Sequence, residues 1–334
     1  MEKAFKSQDS NTSVIQSNAV YEVTYKGDHF LVGSNLEYIP LVEPKNTSDW
    51  EYTNNGIVTK YIGTDTDVII PNYINGIRIK KIGTRIFKDK NIKKLNISNG
   101  IEEIAYLGFQ YGLNELEGDL VIPDSITSLP VEAFQYCGAN GKLILGRNLK
   151  TIGNYAFRAC SNLKGDLIIP DSVEEIGASA FSSCSSLNGT LQIGKNVKNI
   201  GNNAFSSCSN LVGDLILPDS VENIGNNAFS GDSSLNGNLY IGNNIKNIGS
   251  EAFYNLRNLR GDLVIGKSAE TIGGSAFRYC NLINSITFLK NNTAINTNSL
   301  PPNAIIKGYT GSTAQQYSND NGKTFVTIPE WLKT

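Results

Sequence analysis

The stretch Leu167-Ile168-Ile169-Pro170-Asp171-Ser172-Val173-Glu174-Glu175-Ile176-Gly177 is followed by Ala180-Phe181, Cys184, Leu187 and Gly189. The same order then begins again as Leu191-Gln192-Ile193-Gly194, with Val197, Ile200-Gly201, Ala204-Phe205, Cys208, Leu211 and Gly213. The Ala-Phe pair gives the register: its Phe falls at 134, 157, 181, 205, 229, 253 and 277, in one step of 23 and five of 24. Phe87 and Phe109 mark degenerate copies on the N-terminal side. Self-similarity at a fixed short period means a stack in which each unit hides its apolar face only against its neighbours.

Within one unit, Leu167 and Ile169 are expected to point inward and Ile168 outward, because successive side chains on a strand alternate faces. Pro170 stops that strand. A second extended piece, Val173 to Ile176, follows on another side of the coil, and Gly177 is expected to permit a sharp turn that folds Ala180 and Phe181 back inside. The apolar residues are spread around the whole coil, with no long stripe at helical spacing. The reading is therefore a mainly β solenoid: a right-handed leucine-rich repeat coil of about nine units of 23–25 residues, with nonrepeating caps at both ends. A chain of 334 residues exceeds the usual single core, and growth along one axis removes that ceiling.

Outside the repeats, residues 1–18 are polar and read as a flexible arm. Residues 19–50 read as a small β segment, with a hairpin of Val20 to Tyr25 and His29 to Val32 around Lys26-Gly27-Asp28, and a further strand ended by Pro40. Residues 51–67 form an N-terminal cap, in which aromatic strands close the first coil together with Trp50; 68–290 are the solenoid and 291–334 the C-terminal cap. In the last segment Ala304 to Ile306 reads as a strand, Ser312 as the N-cap of a short helix, and Thr324 to Ile328 as a final strand.

Composition excludes several classes of function. A net charge of −2, from 29 basic and 31 acidic side chains, offers no footprint for nucleic acid, and no apolar run reaches the length of a membrane span. His29 is the only histidine, and no phosphate loop or serine-nucleophile motif is present, so no catalytic residue, metal or cofactor is assigned. Cys137, Cys160, Cys184, Cys208 and Cys280 each stand three residues after a repeat Phe, a position in the coil that reads as buried free thiol. Asp119, Asp166, Asp214 and Asp262 precede the first strands of alternate units and read as turn acceptors. Lys150, Glu174, Lys198, Glu222, Lys246 and Glu270 alternate in sign at one repeat position and read as a solvated ladder that fixes stacking.

The unit Leu215-Ile216-Leu217-Pro218-Asp219-Ser220-Val221-Glu222-Asn223-Ile224-Gly225-Asn226-Asn227-Ala228-Phe229 resembles the BspA-like, Treponema-type leucine-rich repeat family. The likeness runs over roughly 51–329 and includes the closing Gly308-Tyr309-Thr310-Gly311-Ser312-Thr313-Ala314. It implies a bacterial or protist surface protein that binds host, matrix or cell-surface proteins. The opening residues Met1 to Ser7 lack the apolar middle of a secretory signal, so extracellular placement rests on the resemblance.

The face that would do the binding is the outward position of the first strand: Asn96, Val121, Ile144, Ile168, Gln192, Ile216, Tyr240, Val264 and Thr287, of which six of nine are apolar. Val121, Ile144, Ile168, Gln192, Ile216, Tyr240 and Val264 are the candidate site for a protein partner or for self-association. Two alternatives stand beside it: the band merely reflects β-propensity, or residues 1–50 cover it. A different functional class is a structural component whose N-terminal segment docks it into a larger complex.

Overall fold

In a computed structural model that describes residues 12–17, 20–25, 28–33 and 38–333, the chain is a β-solenoid of about eleven turns. The sequence had shown about nine units. The extra turns lie at the ends, where caps continue the parallel pairing: Ile305–Gly308 and Phe325–Thr327 add to the strands Arg260–Ile265 and Leu282–Phe288. Cap residues must hide the coil cross-section, so large aromatics replace the repeat pattern and mask its period.

Inside the coils the Phe rings form one column. Phe134, Phe157, Phe181, Phe205, Phe229, Phe253 and Phe277 are fully buried and stack with centroids 5.0–5.5 Å apart. The column continues through Phe109 and Phe87 to Tyr61 and Trp50, whose centroids are 4.8 Å apart, and this aromatic pair is the N-terminal lid. Each buried Phe contributes about 1.5–3 kcal/mol of apolar burial, and offset ring pairs add to it. The cysteines lie beside this column as free, buried thiols, and Cys160, Cys184, Cys208 and Cys280 each donate to a carbonyl of the repeat Phe one coil back.

Two strand tracks run along the solenoid, and they differ. The second extended pieces, from Ser128–Leu129 through Glu175–Ile176 to Ala294–Ile295, form one continuous parallel sheet of eight strands. The first strands do not. They pair in twos, Leu120–Val121 with Leu143–Ile144, Leu167–Ile168 with Leu191–Gln192, and Leu215–Ile216 with Leu239–Tyr240. The first-strand sheet is thus interrupted at alternate steps. Pro123, Pro170 and Pro218 have no N–H for the preceding coil, and the open steps before Leu120, Leu167 and Leu215 enter these coils, whereas Leu239–Tyr240 meets the next strand, ahead of Gly266, only through the isolated bridge Asn238–Arg260. The closed step leaves a proline coil towards a glycine: a Cβ on Gly194 would lie 2.2 Å from the Pro170 carbonyl oxygen.

Gly177 has the same use. It was expected to turn the chain, but the left-handed residues are Ser179 (φ 53°) and Ser183 (φ 63°), while a Cβ on Gly177 would lie 2.6 Å from the Asn154 nitrogen. Glycine here lets one coil approach the next.

The flexible arm expected over 1–18 falls largely outside the described residues. Thr12–Ser17 is a strand antiparallel to Val20–Tyr25, because Val14 and Ile15 supply β-forming residues within the polar run; residues 1–11 lie outside the described residues. The hairpin partner is Asp28–Gly33, followed by Tyr38–Ile39, and the turn residues Lys26 and Gly27 are outside the described set. This sheet is tied to the solenoid through fully buried Asn72. Its amide donates to the carbonyls of Pro40 (2.9 Å) and Asn99 (2.7 Å), and its oxygen accepts from the Val42 nitrogen (2.7 Å). At the other end the helix Thr313–Asp320 begins where the sequence indicated, with the Ser312 hydroxyl accepting from the Gln315 nitrogen.

The charge ladder forms as pairs rather than as one run. Lys198 Nζ lies 2.9 Å from Glu174 Oε2, and Lys246 Nζ lies 2.6 Å from Glu222 Oε2. The partnered lysine holds the Glu174 carboxyl below its ordinary range, first by hydrogen bonding and then by charge. Lys198→Glu is expected to lower the melting temperature slightly at low salt, with partial recovery on adding Glu174→Lys and Glu222→Lys. Differential scanning calorimetry at low and high salt checks this; an unchanged melting temperature at low salt refutes the ladder.

Candidate functional site: the strand-lined face

The first strands expose the residues singled out from the sequence. Leu167 and Ile169 are buried, and Ile168 between them is 50% exposed. Val121, Ile144, Ile216, Tyr240 and Val264 are 45–53% exposed, and Gln192 is also exposed. Backbone register sets them side by side: Val121 opposite Ile144, Ile168 opposite Gln192, Ile216 opposite Tyr240 and Val264 opposite Thr287. The apolar members of this row are about half exposed. The row also extends further than expected, because Ile69, 47% exposed, stands opposite Asn96. The alternation in Asp67-Val68-Ile69-Ile70 was the available signal for it.

The interrupted pairing gives this face relief. Between Leu143–Ile144 and Leu167–Ile168 lies a cleft of about 480 Å³, walled by Ile144, Leu145, Ile168 and Pro170, with Arg147 and Asp171 at its rim. Both strands that border it use their hydrogen bonds on their far sides: Leu120 N–H donates to Lys142 O at 2.8 Å, and Leu167 N–H to Thr190 O at 2.9 Å. Apolar walls with a few polar groups are what an inserted partner side chain requires.

One rim of the face is fixed by aspartates. Asp119, Asp166 and Asp214 accept backbone N–H groups of Lys142, Thr190 and Asn238, each at 2.7 Å, and Asp262 accepts the Ser285 hydroxyl at 2.7 Å. They are turn acceptors spanning adjacent coils, as their sequence position indicated. The Asp166 carboxyl is held below its ordinary range by the Thr190 backbone bond first and its hydroxyl second. Among the described residues, no group of three or more His, Cys, Asp or Glu side chains is placed to hold a metal, and no helix is long and apolar enough to cross a membrane.

The opposite track carries a polar ladder that sequence reading passed over. Asn223 Nδ2 donates to Asn199 Oδ1 (2.8 Å), Asn247 Nδ2 to Asn223 Oδ1 (2.8 Å), and the Thr271 hydroxyl to Asn247 Oδ1 (2.7 Å). Identical asparagines at one repeat position were the signal. The solenoid thus has one face whose polar groups bond each other and another whose apolar groups have no partner.

These features define a leucine-rich repeat solenoid. The chain belongs to the BspA-type leucine-rich repeat family, matching it in six copies over residues 80–212 and 211–313, and such repeats generally serve protein interaction. A leucine-rich repeat protein from Bacteroides ovatus ATCC 8483 is similar at 20% identity, over 96% of this chain and 99% of that one, with a TM-score of 0.42. A leucine rich cell surface protein of Faecalibacterium prausnitzii A2-165 is similar at 16% identity over 98% and 97%, with a TM-score of 0.36. The T. pallidum leucine-rich repeat protein is similar at 18% identity over 85% and 98%, with a TM-score of 0.32. No curated protein matches the chain.

Proposed function

We propose that the chain is a non-enzymatic protein-interaction module that binds a protein on its first-strand face, with the cleft between Ile144 and Ile168 as the anchor point. The observation that carries this reading is the register-aligned row Val121, Ile144, Ile168, Ile216, Tyr240 and Val264, each 45–53% exposed. Soluble proteins rarely leave an extended apolar band open without a use for it. Bacterial surface or secreted placement is part of this reading, supported by membership of the BspA-type family.

Ile168→Lys combined with Ile216→Lys tests the face. Both side chains already reach solvent, so the double variant is expected to keep the parent melting temperature. Its affinity for immobilised extracellular-matrix or host-cell-surface proteins that bind the parent, or for a second copy of itself, is expected to fall roughly 30-fold or more, the size of a lost hot spot. A folded double variant that keeps every association of the parent places the function elsewhere on the chain.

A further inference from the structure

The last coil and the closing helix enclose a second cleft, of about 320 Å³, far along the solenoid from the Ile144–Ile168 cleft. Its floor is Leu300 and Tyr317, both buried, with the Tyr317 hydroxyl accepting the Leu300 N–H at 3.3 Å. Arg278 and Lys323 are its two charged side chains, and no carboxylate lines it. Asn298 and Asn321 supply neutral amides.

Along the solenoid, cations are repeatedly matched by a carboxylate one coil away: Lys81 with Glu103, Arg147 with Asp124, Lys195 with Asp171, and Lys198 with Glu174. The C-terminal cleft departs from that rule. Lys323 Nζ donates to the carbonyls of Pro301 (2.7 Å) and Pro302 (3.0 Å), which orient the ammonium without neutralising it. One of its three donors is left over, and burial pulls its pKa down, as befits a cation that lacks a counter-charge. Arg278 has no carboxylate partner among the described residues. Its guanidinium lies over the Tyr279 ring, 4.9 Å from the centroid, with Arg257 at 5.9 Å from the same ring. This ring contact positions the guanidinium without neutralising its charge.

The geometry points to an oxyanion-binding site in this cleft, one that takes a carboxylate or phosphate group on a small ligand or at the end of a larger one. A guanidinium fork gives planar two-point recognition of such a group, and the ammonium gives a point charge. The remaining space suits a compact body resting on Leu300, Pro302 and Tyr317, and the two amides can meet hydroxyls on it.

Titration of the full chain with inorganic phosphate and with acetate, followed by amide chemical shifts, tests the assignment. Saturable one-site binding of at least one probe is expected, with shifts centred on Tyr279, Asn298 and Asn321. Arg278→Gln and Lys323→Gln are each expected to weaken it at least tenfold, while Lys164→Gln, on an exposed turn elsewhere, leaves it unchanged. Glucose 6-phosphate against a phosphoserine peptide then distinguishes a sugar-borne from a chain-borne group. If Lys323→Gln loosens the closing segment, Arg278→Gln alone decides, since its side chain is exposed. Absence of saturable binding of both probes, or binding that survives Arg278→Gln, overturns the site; weak binding lost equally in Lys164→Gln identifies an adventitious ion only.

Discussion

Phe205→Ala is expected to cost about 3–5 kcal/mol, the largest effect of any single change considered for this chain. Phe205 is fully buried, and its ring sits 5.4 Å from that of Phe181 and 5.2 Å from that of Phe229. Removing it deletes both ring contacts and leaves a cavity that its neighbours cannot fill, because each neighbouring ring is itself held by the next coil. A solenoid's stability is approximately a sum of unit and nearest-neighbour terms, so a break in the middle of the column weakens two interfaces at once. Urea unfolding measures the loss directly. A change below about 1 kcal/mol would mean that the column is not the core, because truncating a buried Phe to Ala costs about 3–5 kcal/mol.

The second large effect has the opposite sign. Asp232 occupies the repeat position that holds cysteine in the two preceding coils, three residues after Phe229. It is fully buried; Oδ1 accepts the Cys208 N–H at 2.8 Å, and Oδ2 is buried without a hydrogen-bond partner. Burial pushes its carboxyl well above the ordinary range, and the Cys208 bond only partly opposes that. The folded-state pKa is therefore raised above the unfolded value of about 3.9. Stability is fully present below that unfolded value and is lost as the pH rises towards the folded pKa, since the unfolded chain releases a proton that the folded chain must keep. In that window the loss is about 1.4 kcal/mol per pH unit. Asp232→Asn removes the titration, and Asp232→Cys also restores the repeat; both are expected to be more stable than the parent at pH 7, with the gap closing towards pH 4. Chemical denaturation of parent and variants across that range gives the difference. A parent that matches Asp232→Asn at every pH would show that Asp232 is solvated.

Much of this architecture could be read from residue order. The Phe period set the number and length of the central coils, the Leu-x-Ile alternation assigned Ile168 and Ile216 to the outside, and Ser312 marked the helix start. Each of these is a local fact: side chains alternate on a strand, and a hydroxyl before a helix satisfies its first N–H groups. Such rules need no knowledge of what lies one coil away.

What the tertiary structure alone decided concerns contacts between coils. The Pro and Gly alternation at residues 170, 194 and 218 was visible as a two-coil period, but its consequence, a first-strand sheet opened at every second step and a cleft beside Ile168, depends on how closely backbones approach across 24 residues. The role of Gly177 as a point of contact with Asn154, the amide ladder from Asn199 to Asn247, and the orphaned Asp232 oxygen belong to the same class. So does the cleft that Arg278 and Lys323 both line, since 45 residues separate them in the chain. Sequence periodicity states which way a side chain points; whether a neighbouring coil supplies it with a partner is settled only when the coils are stacked, because hydrogen bonds and ion pairs act over a few ångströms of space and not along the chain.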